Sequence, residues 1–597
     1  MITQNRYDLS GDITYQGRST DSKPTEDVYP NSLFHELDTG DTYFYDPDGS
    51  WTKCGGFQFE FDGTKDSYDQ EMKKWFDLRG VNAKSDIGIT EMVDQWYKAT
   101  RDYWCGGVRF NQPAQSSVST GMKTGDNAGL NCVPSTNSEK NTDDYEGLPL
   151  FTVVDCNFRY DPESKRPIIT AIDGITSGFE RDNPEKLVGV LQQSGFYYRN
   201  EKDNEYEIGV SSHMQNGYDL CVPYPEAVEQ DGSVREWVLH SKYMSKVVDN
   251  KLTSYSGAIP TAWMSQNVLV DRKNSMNNGL CGGCLCDLTF LKMMFMVKYA
   301  SLSADGILQG CLNYNYQYCV AKGETGVKRV LLTSAQAANI IEGSSILIGT
   351  YNGTTKDRNT AANYDISGQA GCKVISKETV TIGGVSYVAL NLDRGSDEDI
   401  DTVGDGTETA GNTIISTFHW PNGTCDNVLG NDGSPATPDN GKYPAKLQGI
   451  EYSVGGNEVL ADVILSQDAD NYYLNVVNDL SKHSKNAVAN YSLEGTCPKI
   501  AAADGWQYIK KESLSDKGFL FPCLVGGSSS TYHKDGFYQN GQNTTSGLRE
   551  YLAFGYLYHG SASGGLSDLS GTNALSFASW NIVARLSCNG NRGEWTA

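Results

Sequence analysis

The chain reads as an α+β protein, β-rich and built of several domains, and three observations predict that class. Its 597 residues include 63 glycines and 35 tyrosines, as expected of a turn-rich chain whose amphipathic aromatics half-bury on sheets. Short apolar–polar alternations recur along it, bounded by Gly, Pro, Asn and Asp turns. Few stretches carry the 3.6-residue period of a helix. A chain of this length exceeds what one core organises, so roughly three or four units are expected.

Residues 1–63 read as an arm followed by a β-hairpin module. Thr42-Tyr-Phe-Tyr45 and Ser50-Trp-Thr-Lys53 are its strands, and Asp46-Pro-Asp-Gly49 is the turn, with proline fixing φ and Gly49 taking the left-handed position. Asp46 and Asp48 lack the remaining ligands of a calcium loop. Phe57, Phe59 and Phe61 alternate with Gln58, Glu60 and Asp62, the pattern of a half-buried strand. Residues 64–147 read as a helical segment and linker. Tyr68, Met72, Trp75 and Phe76 form one helical stripe, capped by Asp66 or Ser67 and stopped at Gly80. Met92, Val93, Trp96, Ala99, Thr100 and Tyr103 form a second, ended by Gly106-Gly107. Residues 111–146, rich in Ser, Thr, Asn and Gly, read as a long loop.

From Leu148 the chain turns to short strands, such as Leu150–Val154 and Phe196–Arg199, and to one strongly apolar helix, Asp287–Ser303. Residues 328–415 read as a small inserted β domain. Thr333-Ser-Ala-Gln336 is a capping box, Ser345–Ile348 a strand, and Val374–Ile382 with Val385–Leu392 a hairpin about Gly383-Gly384. The acidic run Asp393–Asp401 reads as a solvated loop. The insertion divides a larger domain, 148–327 and 416–597. In its second part Leu447–Leu460 reads as a hairpin with a glycine turn. The last strand, Trp580–Ser587, puts Trp580, Ile582, Ala584 and Leu586 on one face and Asn581, Arg585 and Ser587 on the other.

Composition excludes several functions. A net charge of −25 repels nucleic acid and anionic membranes. Leu288–Ala300, the most apolar run, is shorter than the ~20 residues of a bilayer span and carries Lys292 and Lys298. The first residues lack the basic start and apolar run of a secretory signal, so a soluble protein made in the cytosol is expected. Fifteen irregularly spaced cysteines read as buried thiols. Cys281-Gly-Gly-Cys-Leu-Cys286 offers half a zinc set with no second half, so a packed loop before a helix is the reading. There is no HExxH, GxSxG, P-loop or GxGxxG motif, and His35-Glu36 lacks its second histidine. No catalytic residue, metal or cofactor is expected, and the chain reads as a non-enzyme.

The richest signal is the stretch Gly555–Ser587. A skeleton of Gly, Ala, Leu and Trp alternates there with Tyr556, Tyr558, His559, Ser561, Ser563, Asp568, Ser570, Thr572, Phe577 and Ser579. Between residues 556 and 579 there is no Lys, Glu, Gln, Met or Trp. Each of the six side-chain types at these ten positions is reachable from an Asn codon by replacing its adenines, whereas the five missing types are not. Tyr and His bring contact area with few rotatable bonds, and Ser, Thr and Asp bring adaptable hydrogen bonding, so these ten are the candidate ligand-binding residues.

Leu520-Phe-Pro-Cys523, Gly536-Phe-Tyr538, Ser546-Gly-Leu-Arg-Glu550, Ala553-Phe-Gly555, Asn573-Ala-Leu-Ser576 and Trp580–Ser587 resemble the fixed frame of retroelement-diversified variable proteins. Gln448-Gly-Ile-Glu-Tyr452, Asn422-Gly-Thr-Cys-Asp-Asn-Val428 and the apolar helix add to the likeness, which covers residues 165–590. Val583 stands where that family usually has Gly, and Cys588–Ala597 extend past its usual end. Leu33–Trp51 is similar to a β-module of phage structural proteins. The resemblance implies a C-type-lectin-like domain with a solvent-facing platform, in a homotrimeric receptor-binding protein at a phage tail or fibre tip, assembled in the host cytoplasm. Its partners would be a host cell-surface receptor, glycan or protein, and other virion tail proteins, with no nucleic acid and no membrane insertion. Two alternatives remain open: a structural baseplate or capsid decoration protein, and an enzyme of the formylglycine-generating type, which would need Cys523 and Cys588 to meet.

Overall fold

The computed structural model describes the chain except residues 1–2, 7–12, 18–19, 26–27, 29–31, 37–41, 46–48, 54–60, 79–85, 112–118, 203–204, 396–397, 543, 545, 561–563 and 596–597. Strands hold 34% of the described residues and helices 13%, in several sheets, so the class is β-rich α+β.

The first sheet has five strands, Thr3–Arg6, Ile13–Gly17, Leu33–Glu36, Thr42–Tyr45 and Trp51–Lys53. The expected hairpin is its last pair, with Tyr43 opposite Lys53. Trp51 meets Tyr15 and Phe34 edge-on, at 6.0 and 5.8 Å, over a small core of its own. The turn residues 46–48, the strand predicted through Phe57 and Phe59, and the stop at Gly80 lie outside the described residues.

Helices α1 (Lys65–Leu78) and α2 (Asp86–Ala99) bury the predicted stripes. The cap of α1 is Thr64, whose Oγ1 accepts from Ser67 N–H, and not Asp66 or Ser67. The α2 stripe ends at Thr100, because Tyr103 beyond it is exposed. Gly106-Gly107 do not stop the helix; they lie in a strand, Cys105–Asn111. A Cβ on Gly107 would come within 2.5 Å of the Ile208 carbonyl and the Tyr198 hydroxyl, so close approach within the sheet requires glycine there. The predicted loop 111–146 contains a strand, Met122–Gly125, and is pinned inward. Asn127 Nδ2 donates to the carbonyls of Gly107 and Val297.

Two sheets follow. One orders Trp237–Ser241, Leu187–Gln193, Val153–Asp161 and Arg166–Ile172; the other orders Leu220–Pro223, Phe196–Lys202, Glu205–Ser211, Cys105–Asn111 and Met122–Gly125. The strand expected at Leu150 starts at Val153. After α3 (Gln266–Met276) comes α4 (Leu285–Tyr299), the predicted apolar helix, with every residue but the last buried. Burying its two lysines requires carboxylates: Lys292 meets Glu512 at 2.6 Å, and Lys298 meets Asp143 and Asp432 at 2.9 and 2.7 Å.

The inserted region forms an antiparallel six-stranded sheet spanning Gln317–Thr417, with a separate core of Val330, Ile346, Val374, Leu390, Ile415 and their neighbours. The capping box opens α5 (Ser334–Ala337), and the Gly383-Gly384 hairpin forms as predicted. Leu447–Leu460 is not one hairpin. The turn falls at Gln448-Gly449, both at positive φ, between Ala445–Leu447 and Ile450–Tyr452. Asn457–Val459 pairs instead with Leu552–Ala553 and Ile582–Val583. Trp580–Ser587 is two short strands covered on both faces, so its alternation does not separate core from solvent. Arg585 is buried and donates to the carbonyls of Ser241 and Glu451. No helix among the described residues is long and apolar enough to cross a membrane.

Candidate ligand-binding groove

A seven-stranded sheet near the carboxy terminus carries the site. Its order is Leu520–Val525, Gly505–Leu514, Gly536–Gln539, Leu569–Ser570, Leu552–Ala553, Asn457–Val459, Ile582–Val583. Register places Trp506 opposite Tyr538, Tyr538 opposite Ser570, and Ser570 opposite Leu552. Paired residues share a sheet face, so these four form one row. That row floors a groove of about 880 Å³.

The loop after Phe554 supplies the next part of the lining. Gly555 turns it at φ 77°, where a Cβ would come within 2.9 Å of His559 Nδ1. The Tyr556 N–H donates to His559 Nδ1, and the His559 N–H donates to the Tyr556 carbonyl. An imidazole nitrogen that accepts carries no proton, and burial lowers the His559 pKa to about 4, so the ring is neutral. Ring contacts then run continuously: Tyr538 to Trp506 at 5.0 Å, Trp506 to His559 at 4.8 Å, His559 to Tyr556 at 4.6 Å, Tyr556 to Trp580 at 5.7 Å.

The insertion supplies the opposite wall through Asn315, Gln317 and Thr355–Asn359. Asn359 holds it in place. Its Nδ2 donates to Ser579 Oγ at 3.1 Å, and its Oδ1 accepts the Trp580 N–H at 3.1 Å. Arg358 lies over the Trp580 ring, 4.3 Å from its centroid.

Of the ten predicted residues, Tyr556, Tyr558, His559, Ser570, Thr572, Phe577 and Ser579 line this one groove. Tyr558 and Phe577 are exposed, at 65% and 47%. Ser579 is buried and engaged by Asn359, so it belongs to the wall and does not project. Asp568 is a correction: it is buried beneath the surface and does not line the groove. Burial, and then the neighbouring Asp535, hold its carboxyl well above the usual range, so it is an interior group. Ser561 and Ser563 lie outside the described residues. Trp506 and the Thr355–Asn359 wall were missed. An aromatic beside a glycine at the head of a strand was a signal for Trp506; nothing in the sequence pointed to Asn359.

Thiols and carboxylates elsewhere serve packing. Cys284 caps α4, and Cys281 Sγ lies 3.6 Å from its sulfur. The thiols of Cys523 and Cys588 go to different partners, the first to the Lys511 carbonyl and the second to Leu239 and Asn589. Cys132, Asp143 and Asp432 come close enough together to hold an ion, but the Lys298 ammonium already lies against both carboxylates.

No protein-family model and no curated protein matches this sequence.

Proposed function

We propose that the chain is a phage virion receptor-binding protein whose groove grips a molecule of the host cell surface. The observation that carries the reading is convergence. Seven residues singled out for their exchangeable character, spread over Tyr556–Ser579, line one open concavity on a sheet-backed frame. Exposed Tyr558 and Phe577 at its edge are rigid anchors that a surface built only for solvation would not need. The surrounding domain is read as C-type-lectin-like, and the amino-terminal sheet as the attachment to other tail proteins. A homotrimer at a tail or fibre tip gains avidity on a repeated receptor even where a single groove binds modestly.

The test is competition. Purified protein added to host cells blocks adsorption of the virion; adsorption unchanged at saturating protein refutes the reading. A structural baseplate or decoration role predicts that failure. DNA beside the coding region would carry a near-copy of codons 530–587 differing only at adenines.

A further inference from the structure

The groove contains one buried guanidinium, Arg358, that forms no ion pair among the described residues. Arg358 is 6% exposed, and its Nε and Nη2 donate to the Thr417 carbonyl at 3.2 Å and to Asn315 Oδ1 at 2.7 Å, both neutral acceptors. Nη1 has no protein acceptor among the described residues, and the side chain lines the groove. Of the equally buried cations elsewhere, Lys446 and Lys499 likewise bond only carbonyl oxygens, but others take a carboxylate. Lys292, Lys298, Arg585 and Arg592 each have a carboxylate within 3.4 Å. Arg358 forms no such pair among the described residues. Burial without a partner lowers its pKa to about 10, which leaves it charged at neutral pH. Taking a guanidinium out of water with no counter-ion is costly, and a ligand carboxylate would offset that cost with bidentate, charge-assisted hydrogen bonds.

The rest of the lining indicates what carries the carboxylate. Beside the ring series from Tyr538 to Trp580, the groove presents the half-buried amides of Asn573 and Asn581. Each amide donates and accepts, as neighbouring hydroxyl groups require. Leu552 is the sole Ala, Val, Leu, Ile or Met among the described lining residues, so the apolar pockets that protein hot spots fill are missing. Flat rings and amides suit the alternating C–H faces and hydroxyl edges of a sugar. The chain's overall charge of −25 does not prevent an anion from binding here. Asp357 is the only carboxylate among the described lining residues, and charges farther than the ~8 Å screening length of physiological salt count for little.

We propose that the groove takes an acidic saccharide, with a sugar carboxylate on Arg358 and pyranose faces on the ring wall. This rests on the groove being the ligand site proposed above. The probe is the host's extracted surface polysaccharide, native and with its carboxyl groups reduced to alcohols, titrated against the full chain. Native polysaccharide binds, and reduction weakens binding about tenfold or more, as loss of a charge-assisted contact does. Arg358→Gln weakens binding to native material by the same factor, while Arg358→Lys recovers part of the loss. The reduced-polysaccharide arm uses wild-type protein, so it decides even if the variants fold poorly. Equal affinity for the two polysaccharides overturns the proposal. So does cell binding that survives periodate but not protease, which identifies a protein ligand. In either case loss of cell binding in Tyr558→Ala/Phe577→Ala keeps the groove as the site. Wild-type protein that binds neither cells nor polysaccharide removes both readings together.

Discussion

Replacing Tyr558 and Phe577 together by alanine separates recognition from folding. An aromatic side chain contributes about 1.5–3 kcal/mol when fully buried. Tyr558 is 65% exposed and Phe577 47%, so only about a third and a half of that is at stake, or about 1 kcal/mol each. The double variant therefore loses about 2 kcal/mol and stays folded. Trp580→Ala is the contrast. Its ring is 7% exposed and packs against Tyr556 at 5.7 Å and His419 at 6.2 Å, with Arg358 over its face. Removing it costs about 3–5 kcal/mol for the cavity, and the lost cation–π contact adds about 1–2 kcal/mol. The assay pairs the urea midpoint with binding of labelled protein to host cells. The double variant keeps a near-native midpoint and loses cell binding, whereas Trp580→Ala loses both. A folded double variant that binds cells like wild type refutes the groove assignment.

Three further outcomes follow from the interior. Burial raises the Asp535 pKa to about 7, so its proton-bound form stabilises the fold below the unfolded value near 4, and that contribution is lost as pH rises through 7. Relative to Asp535→Asn, wild type loses about 3 kcal/mol between pH 5 and pH 8, read as the difference between the two pH–stability curves. Lys298→Ala leaves Asp143 and Asp432 buried without their cation and costs about 3–5 kcal/mol, visible as a fall in Tm; zinc or EDTA leaves the wild-type Tm unchanged because the ammonium holds the position an ion would need. Gly107→Ala destabilises by about 1–3 kcal/mol in the same melt, since its Cβ meets backbone at 2.5 Å; no loss would refute the close approach of the strands at this glycine.

Elements whose cause is local were readable. The Thr333 capping box, the Gly383-Gly384 hairpin and the apolar α4 each owe their form to residues a few positions apart. The misreadings share a different cause, a partner distant in sequence. Gly107 is glycine because of Tyr198 and Ile208, not because a helix ends there. Trp580–Ser587 alternates, yet Ser241, Glu451 and Glu458 cover what was read as its second face. The turn at Gln448-Gly449 puts a non-glycine residue at φ 48°, and that residue also reaches Lys298 and Phe151, so tertiary hydrogen bonds hold a backbone that propensity disfavours.

The site divides along the same line. Its exchangeable side chains were legible because composition alone marks them, but composition does not distinguish a position that projects from one that is sealed. Tyr558, Phe577, Thr572 and Ser570 reach the groove without being buried, and a different side chain there displaces only solvent. Asp568 sits against Asp535 and His559 under the Gly555 turn, where a tyrosine or phenylalanine would overpack the interior by about 1–3 kcal/mol. Ser579 is clamped by Asn359, so a larger side chain there would push the insertion off the groove. Randomising the ten positions and selecting for folding therefore yields free exchange at the first four and retention of small or acidic residues at 568 and 579. Uniform tolerance at 568 would mean that the frame beneath the groove is not the close-packed support on which an exchangeable surface depends.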